Sequence, residues 1–385
     1  MADIGRREGG MDLSEFVRQA YLEPWYRSLE EPSTAQDRVL GELLGYYSET
    51  RYGIKRGAAG ISGIQGYREA FSPVGYVDLK PLYEGVRSGE HEVILHEPPE
   101  NWVMTRGSTG KPKVIPVTRT HIRQVRTCGA RAILNFSMKN PGSKVIRGKV
   151  LNLNFPSSVD TINVGGEEVG YGYSSGTYAR LIPRLYGASL VPNQSDVDEL
   201  GPGITRNDWA GRFNLVHRTA RDEDVRSVMG VAPVLISFGR HLKKTQGVLP
   251  RDLWQMDAIF ATSVAKIQSV YAPRLRRLYG EVPVVEMYTA TEGVFGQQLD
   301  ELPYFSPNYD AYLFEVRTGG GYKMLHQMSR GEWGRLIISS CLFPRYEIGD
   351  LIECMGGNYF RVFGRDGPRA TLEHRLYRLL TRWFI

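Results

Sequence analysis

The densest chemistry in the sequence is the stretch Thr105-Arg106-Gly107-Ser108-Thr109-Gly110-Lys111-Pro112-Lys113. Its glycines let a backbone approach a ligand closely and adopt positive φ. Its free N–H groups, hydroxyls and ammoniums are what a polyphosphate requires. The same composition suits a flexible surface loop, and the stretch alone leaves both readings open. It is not a Walker loop, because Thr105 stands where that pattern places its first glycine and Pro112 follows the lysine.

Further residues with chemical capacity lie downstream. Tyr288-Thr289-Ala290-Thr291-Glu292-Gly293 follows a strand-like run. Small residues at a strand end, then a hydroxyl and a carboxylate, suit a ligand crevice at the carboxyl ends of a sheet; an ordinary turn has the same look. Tyr346-Glu347-Ile348-Gly349-Asp350 places a carboxylate after a glycine. Such a group accepts from both hydroxyls of a sugar diol, although Gly-Asp is also common in β-turns. Phe363-Gly364-Arg365-Asp366 closes the series.

These residues need elements to hold them. Residues 12–30 and 34–48 read as helices, Tyr67 to Leu95 as helix, turn and helix, and Thr118 to Met138 as a long helix. Val150 to Phe155 alternates like a strand, and Gly165 to Gly176 reads as a loop rimming a cleft. Asn207 to Lys244 reads as helical in two pieces. Asp257 to Ser263 is a strand, Ala265 to Leu278 a helix and Val282 to Met287 another strand. The alternation predicts α/β layers with mostly parallel central strands. From Tyr312 short strands follow with little helix between, which predicts a β-rich part, a distorted barrel or antiparallel sheet.

Composition excludes several classes. At 385 residues, 42% hydrophobic and 23% charged, the chain matches a soluble globular protein. A net charge of +6 without a dense Lys/Arg block argues against nucleic acid. Three scattered cysteines and seven histidines form no metal-ligand spacing and suit a reducing compartment. The N-terminus lacks an apolar signal core, and no run is long enough to span a bilayer, so a cytoplasmic location is expected.

The loop at Thr105–Lys113 resembles the phosphate loop of adenylate-forming enzymes, commonly Thr-Ser-Gly-Thr-Thr-Gly-Lys-Pro-Lys, with Arg106 in place of a small residue. The other motifs are similar to that superfamily's Tyr-Gly-x-Thr-Glu, Tyr-x-x-Gly-Asp and Gly-Arg-x-Asp elements, in the same order. The segment from Glu49-Thr50-Arg51-Tyr52-Gly53 through Gly89-Glu90, with Val294 to Glu315, resembles one branch, the auxin-responsive-promoter family of acyl acid amido synthetases. The phenylacetate–coenzyme A ligases are the neighbouring branch.

The resemblance implies the large N-terminal domain of these enzymes over residues 1–365, with α/β layers to about 305 and the β-rich part over about 306–365. It also implies a mobile lid beyond the hinge. The sequence ends at Ile385, so the lid is expected to be absent, with a basic amphipathic helix over 366–385 in its place. Leu372, Leu376, Leu379, Leu380 and Trp383 would form its apolar stripe. The implied activity is ATP-dependent ligation: a carboxylic acid becomes an acyl-adenylate with release of pyrophosphate, then passes to an amine or a thiol.

On the same grounds ATP would be held by Thr105, Arg106, Gly107, Ser108, Thr109, Gly110, Lys111, Tyr288, Thr289, Ala290, Thr291, Asp350 and Arg365. Catalysis would fall to Lys111, Thr291, Glu292 and Arg365, with Glu292 also on Mg²⁺. The acid would meet Val231, Phe238, Ala261 and Thr262, although Phe238 equally suits the core. Partners would be a small carboxylic acid and its acceptor, with a second copy of the chain or a separate lid-bearing chain; no nucleic acid and no stable membrane association are expected. Two other readings stay open, a non-catalytic nucleotide-binding subunit and a basic scaffold whose motifs have decayed.

Overall fold

The central layer, seen in a computed structural model that describes residues 13–105, 112–182, 184–185, 187–262 and 266–367, is an eight-stranded mixed sheet. Its order is Ser306–Pro307, Gly293–Gln297, Val284–Ala290, Ala258–Thr262, Val225–Val231, Lys149–Asn152, Ala188–Val191 and Arg184–Leu185. The five strands from Val284–Ala290 to Ala188–Val191 are parallel, and antiparallel strands flank them. All five residues of Ala258–Thr262 are buried, as expected of a strand covered on both faces. Ile259 and Ala261 join a core with the helices Arg206–Ala220, Ala232–Gln246 and Ala272–Tyr279. Ala258 and Phe260 join the opposite core with the helix Arg119–Lys139. The alternation of a strand thus divides one short apolar run between two layers.

The sequence expectation of two helical pieces over 207–244 is corrected here. A central parallel strand, Val225–Val231, separates helices Arg206–Ala220 and Ala232–Gln246. Short apolar runs cannot be assigned to helix or strand by periodicity alone, and Pro233 in the first turn of the second helix gives no sign of the strand just before it.

A four-stranded sheet has the order Val114–Thr118, Pro99–Met104, Glu167–Tyr173, Asp160–Val164. The expected loop over Gly165–Gly176 is instead the turn, second strand and first helical residues of a hairpin unit. Gly165 and Gly166 take φ of 59° and 94° between the strands Asp160–Val164 and Glu167–Tyr173, the positive φ pair that tight hairpins favour. The helix Ser174–Leu181 follows directly.

The β-rich part is a five-stranded antiparallel sheet ordered Gly321–Met324, Leu313–Thr318, Trp333–Ser339, Tyr346–Gly356, Tyr359–Arg365. Helices Pro32–Ser48 and Gly63–Ala70, with Phe71 just beyond the second, cover it through Val39, Leu43, Tyr67 and Phe71, which pack with Leu313 and Met324. Of the C-terminal helix expected over 366–385, residues 368–385 lie outside the described residues.

Candidate functional site

The phosphate-loop candidate is the connection of a hairpin. Strands Pro99–Met104 and Val114–Thr118 pair with Met104 opposite Val114. Thr105 N–H donates to the Lys113 carbonyl at 2.9 Å, and Lys113 N–H donates to Thr105 Oγ1 at 3.0 Å, closing the base of the loop. Arg106, Gly107, Ser108, Thr109, Gly110 and Lys111 lie outside the described residues.

Thr291 and Glu292 are the two residues of another hairpin turn, because Ala290 pairs with Gly293. A side chain at Gly293 would meet the Phe295 ring and the Tyr312 hydroxyl at 2.9 Å, and its φ is 156°. Only glycine permits this return, so the turn delivers a hydroxyl and a carboxylate at the C-terminal edge of the parallel strands. Ser174, at the start of its helix, meets Thr291 with the hydroxyl oxygens 3.2 Å apart. Thr262 and Thr289, on neighbouring strands, bring theirs to 2.5 Å.

The antiparallel sheet supplies the third side. Lys113 Nζ donates to the Tyr346 hydroxyl at 3.0 Å, and that hydroxyl donates to Glu292 Oε1 at 3.3 Å. The ammonium itself lies 3.9 Å from Glu292 Oε1. Burial raises the Glu292 carboxyl above its ordinary range; Lys113 and Arg365 pull it back, and Asp350 opposes them. Burial and Glu292 push the Tyr346 phenol far up, so it remains a neutral hydrogen-bond donor. Asp350 and Arg365 face each other across adjacent strands. Arg365 Nη1 donates to Asp350 Oδ1 at 2.7 Å, and the Tyr288 hydroxyl to Oδ2 at 2.5 Å.

The structure therefore joins Lys113, Tyr346 and Glu292 in one hydrogen-bonded chain where the turn after the parallel strands meets the antiparallel sheet, and pairs Tyr288 and Arg365 with Asp350. Thr105 bonds to Lys113, and Thr289, Ala290 and Thr291 lead into and form the turn that carries Glu292. The acyl set is divided. Val231 and Thr262 are paired at neighbouring strand ends. Val231 belongs to a small apolar cluster with Met104, Phe155 and Tyr173, and Met104 and Tyr173 immediately precede Thr105 and Ser174. Ala261 and Phe238 are fully buried in the core. The Phe238 ring lies among Phe213 at 5.5 Å and Trp254 at 6.3 Å, because its helix faces the sheet with this side.

Tyr346 and Ser174 are the residues that sequence reasoning missed. Tyr346 opens a motif in which only the aspartate drew attention. Ser174 has no signal beyond the glycine-rich segment before it.

Among the described residues no group of three His, Cys, Asp or Glu side chains could hold a metal by itself, and no helix is long and apolar enough to cross a membrane.

Known proteins share this fold. The fold is similar to an acyl acid amido synthetase crystallised with 2,4-DB, with a TM-score of 0.73 at 15% identity, covering 94% of this chain and 72% of that one. It is also similar to an open form of 2-hydroxyisobutyryl-CoA ligase in complex with 2-HIB-AMP and CoA, with a TM-score of 0.58 at 14% identity, covering 95% and 81%. In sequence, the chain is 32% identical over 424 residues to indole-3-acetic acid-amido synthetase GH3.8 of Oryza sativa subsp. indica, covering 90% of this chain and 69% of the relative. Residues 22–195 match the GH3 family N-terminal domain. The hairpin loop, the Thr291–Glu292 turn and the Asp350–Arg365 pair thus sit in the scaffold of a known lineage: the chain belongs to the GH3 family.

Proposed function

We propose that this chain is a cytoplasmic ATP-dependent ligase that converts a small or aromatic carboxylic acid to its acyl-adenylate, releasing pyrophosphate, and passes the acyl group to an amine. The observation that carries this reading is the Lys113–Tyr346–Glu292 chain beside the Asp350–Arg365 pair. The name of the relative from Oryza sativa supports the amine as acceptor.

A carboxylate approaching a triphosphate meets strong negative charge, so this chemistry needs positioning and charge neutralisation more than acid–base work. Lys113, Arg365 and the loop over Thr105–Lys111 would neutralise the phosphates. Asp350 would accept from the ribose hydroxyls; a carboxylate has about four acceptor sites, so its two present bonds leave capacity. Thr291 and Ser174 would orient the α-phosphate end, and Tyr288, Thr289 and Ala290 would form the wall beneath it.

Mg²⁺ fits the donor chemistry of Glu292, a hard carboxylate oxygen at a site where the described residues provide no full set of protein ligands. Magnesium is commonly held by one or two carboxylates with phosphate oxygens and water. When bound it would neutralise phosphate charge. Val231 and Thr262, with Met104, Phe155 and Tyr173, would line the acid site, and Phe238 would support it from the core.

Exchange of labelled pyrophosphate into ATP, measured across a panel of carboxylates, tests this reading. Exchange that depends on one class of acid is expected. A protein that binds ATP but exchanges with no acid would be a nucleotide-binding subunit instead. Adding an amino acid or coenzyme A to the active mixture then reads out the acceptor.

A further inference from the structure

Tyr346 bridges Lys113 and Glu292, yet it lies at the start of a strand whose preceding residue is conformationally unusual. Arg345 has φ of 43°, the left-handed region that side chains other than glycine and asparagine seldom enter. Such a residue persists where its surroundings over-determine it, and those of Arg345 do. Its Nε and Nη2 donate to the two oxygens of Glu315 at 3.0 and 3.1 Å, and its Nη1 donates to the Phe71 carbonyl at 2.7 Å. Arg345 and Glu315 are both almost fully buried, and Arg68 Nε donates to the same carboxylate at 2.8 Å.

The backbone is held as well. Arg345 N–H donates to Ser339 Oγ at 3.1 Å, Val74 N–H donates to the Arg345 carbonyl at 3.0 Å, and Glu347 N–H donates to the Val74 carbonyl at 2.9 Å. Tyr346 is thereby gripped on both sides, by the helix Gly63–Ala70 and the segment after it and by the antiparallel sheet. Sheet pairing alone needs neither a left-handed residue nor a buried arginine at a strand start.

We propose that Arg345 is a positioning residue for the phosphate end of the site, its clamp on Glu315 and Phe71 fixing the Tyr346 phenol between Lys113 and Glu292. The inference rests on the nucleotide reading of that site. Arg345 acts through Tyr346 and touches no substrate.

A double-mutant cycle tests it on the full chain, with Mg²⁺-ATP and adenosine binding measured by calorimetry. Arg345→Gly removes the guanidinium while the backbone keeps access to positive φ; Tyr346→Phe removes the hydroxyl alone. Each single variant should weaken Mg²⁺-ATP binding about tenfold, the scale of one hydrogen bond to a charged group, and leave adenosine binding unchanged, since adenosine carries no phosphate for Lys113. The double variant should bind no more weakly than Tyr346→Phe. Multiplying losses in the double variant, an equal loss for adenosine, or normal Mg²⁺-ATP binding by Arg345→Gly would each overturn the proposal. Should Arg345→Gly not fold, Glu315→Gln enters the same cycle with the same outcomes. A wild-type protein that binds neither ligand refutes the nucleotide reading itself, and that result is visible before any variant is made.

Discussion

Glu292 and Asp350 are both buried, at 6% and 7% exposure, yet they are held by different means. Asp350 accepts at both oxygens from Tyr288 and Arg365 at 2.5 and 2.7 Å, and the sheet register places Arg365 directly opposite. Glu292 sits in a two-residue turn, and its contacts from Tyr346 and Lys113 fall on one oxygen at 3.3 and 3.9 Å. Hydrogen bonds weaken beyond about 3.2 Å, so Asp350 is pre-assembled while Glu292 keeps capacity for another cation. One site therefore combines a fixed carboxylate, suited to a sugar, with an incompletely satisfied one, suited to a metal–phosphate group.

Four substitutions test this contrast. The largest effect should come from Glu292→Gln: pyrophosphate exchange should fall by about 10²- to 10³-fold, as for loss of one pre-organised electrostatic group, with little change in melting temperature. A large drop in stability with normal exchange would make Glu292 the structural carboxylate and reverse the contrast.

Glu286 calibrates it. This carboxyl lies buried on the strand that leads to Thr291, and burial alone pushes it up to about 8. The native state thus retains a proton that the unfolded chain releases above its ordinary 4.5. Stability from this group is complete below the unfolded value and is lost as pH rises toward about 8, at roughly 1.4 kcal/mol for each step of one in pH. Glu286→Gln should therefore flatten the decline of melting temperature across that window. Parallel melting curves for variant and wild type would show that Glu286 is ionised in the folded protein.

Asp350→Asn comes next. It should weaken ATP about tenfold through the ribose, and it should weaken ATP equally with and without Mg²⁺, whereas the Glu292 defect appears only with Mg²⁺. Tyr288→Phe should have the smallest effect. It removes one of the two donors to Asp350 and should cost about 1.5 kcal/mol of stability, the low end for a hydrogen bond to a charged group, read by denaturant unfolding, with exchange changed less than about threefold. A Tyr288→Phe protein as impaired as Glu292→Gln would mean that Asp350 is not secured by Arg365.

The layered fold was legible in the sequence because its strands at 258–262, 284–290 and 313–365 have distinct patterns and helices lie between the parallel ones. The strand Val225–Val231 was hidden because its valines lead straight into an apolar helix. The hairpin at 160–173 was hidden because Gly170 and Gly172 dilute its pattern; Gly172 packs so tightly that a side chain would lie 2.2 Å from the Ser157 carbonyl carbon. At the site, local spacing left the Thr-Glu and Gly-Asp elements indistinguishable from ordinary turns, and only their order alongside the other motifs, through the family resemblance, singled them out. Tyr346 could not, since its partners Lys113 and Glu292 are distant in sequence and only the meeting of two sheets brings them together. Phe238 shows the converse: an aromatic near the strand ends in sequence turns inward because its helix faces Phe213 and Trp254.

The proposed reaction turns on attack by a carboxylate on the α-phosphate. It is tested most directly with an acid active in exchange, labelled with heavy oxygen in its carboxyl group, and hydroxylamine as the acceptor. The carboxylate oxygen that bonds to the α-phosphorus stays with AMP when hydroxylamine takes the acyl group. The expected products are an acyl hydroxamate and AMP carrying one labelled oxygen, both dependent on the protein and ATP. Label in inorganic phosphate, with ADP as the other product, would place the attack at the γ-phosphate and contradict it.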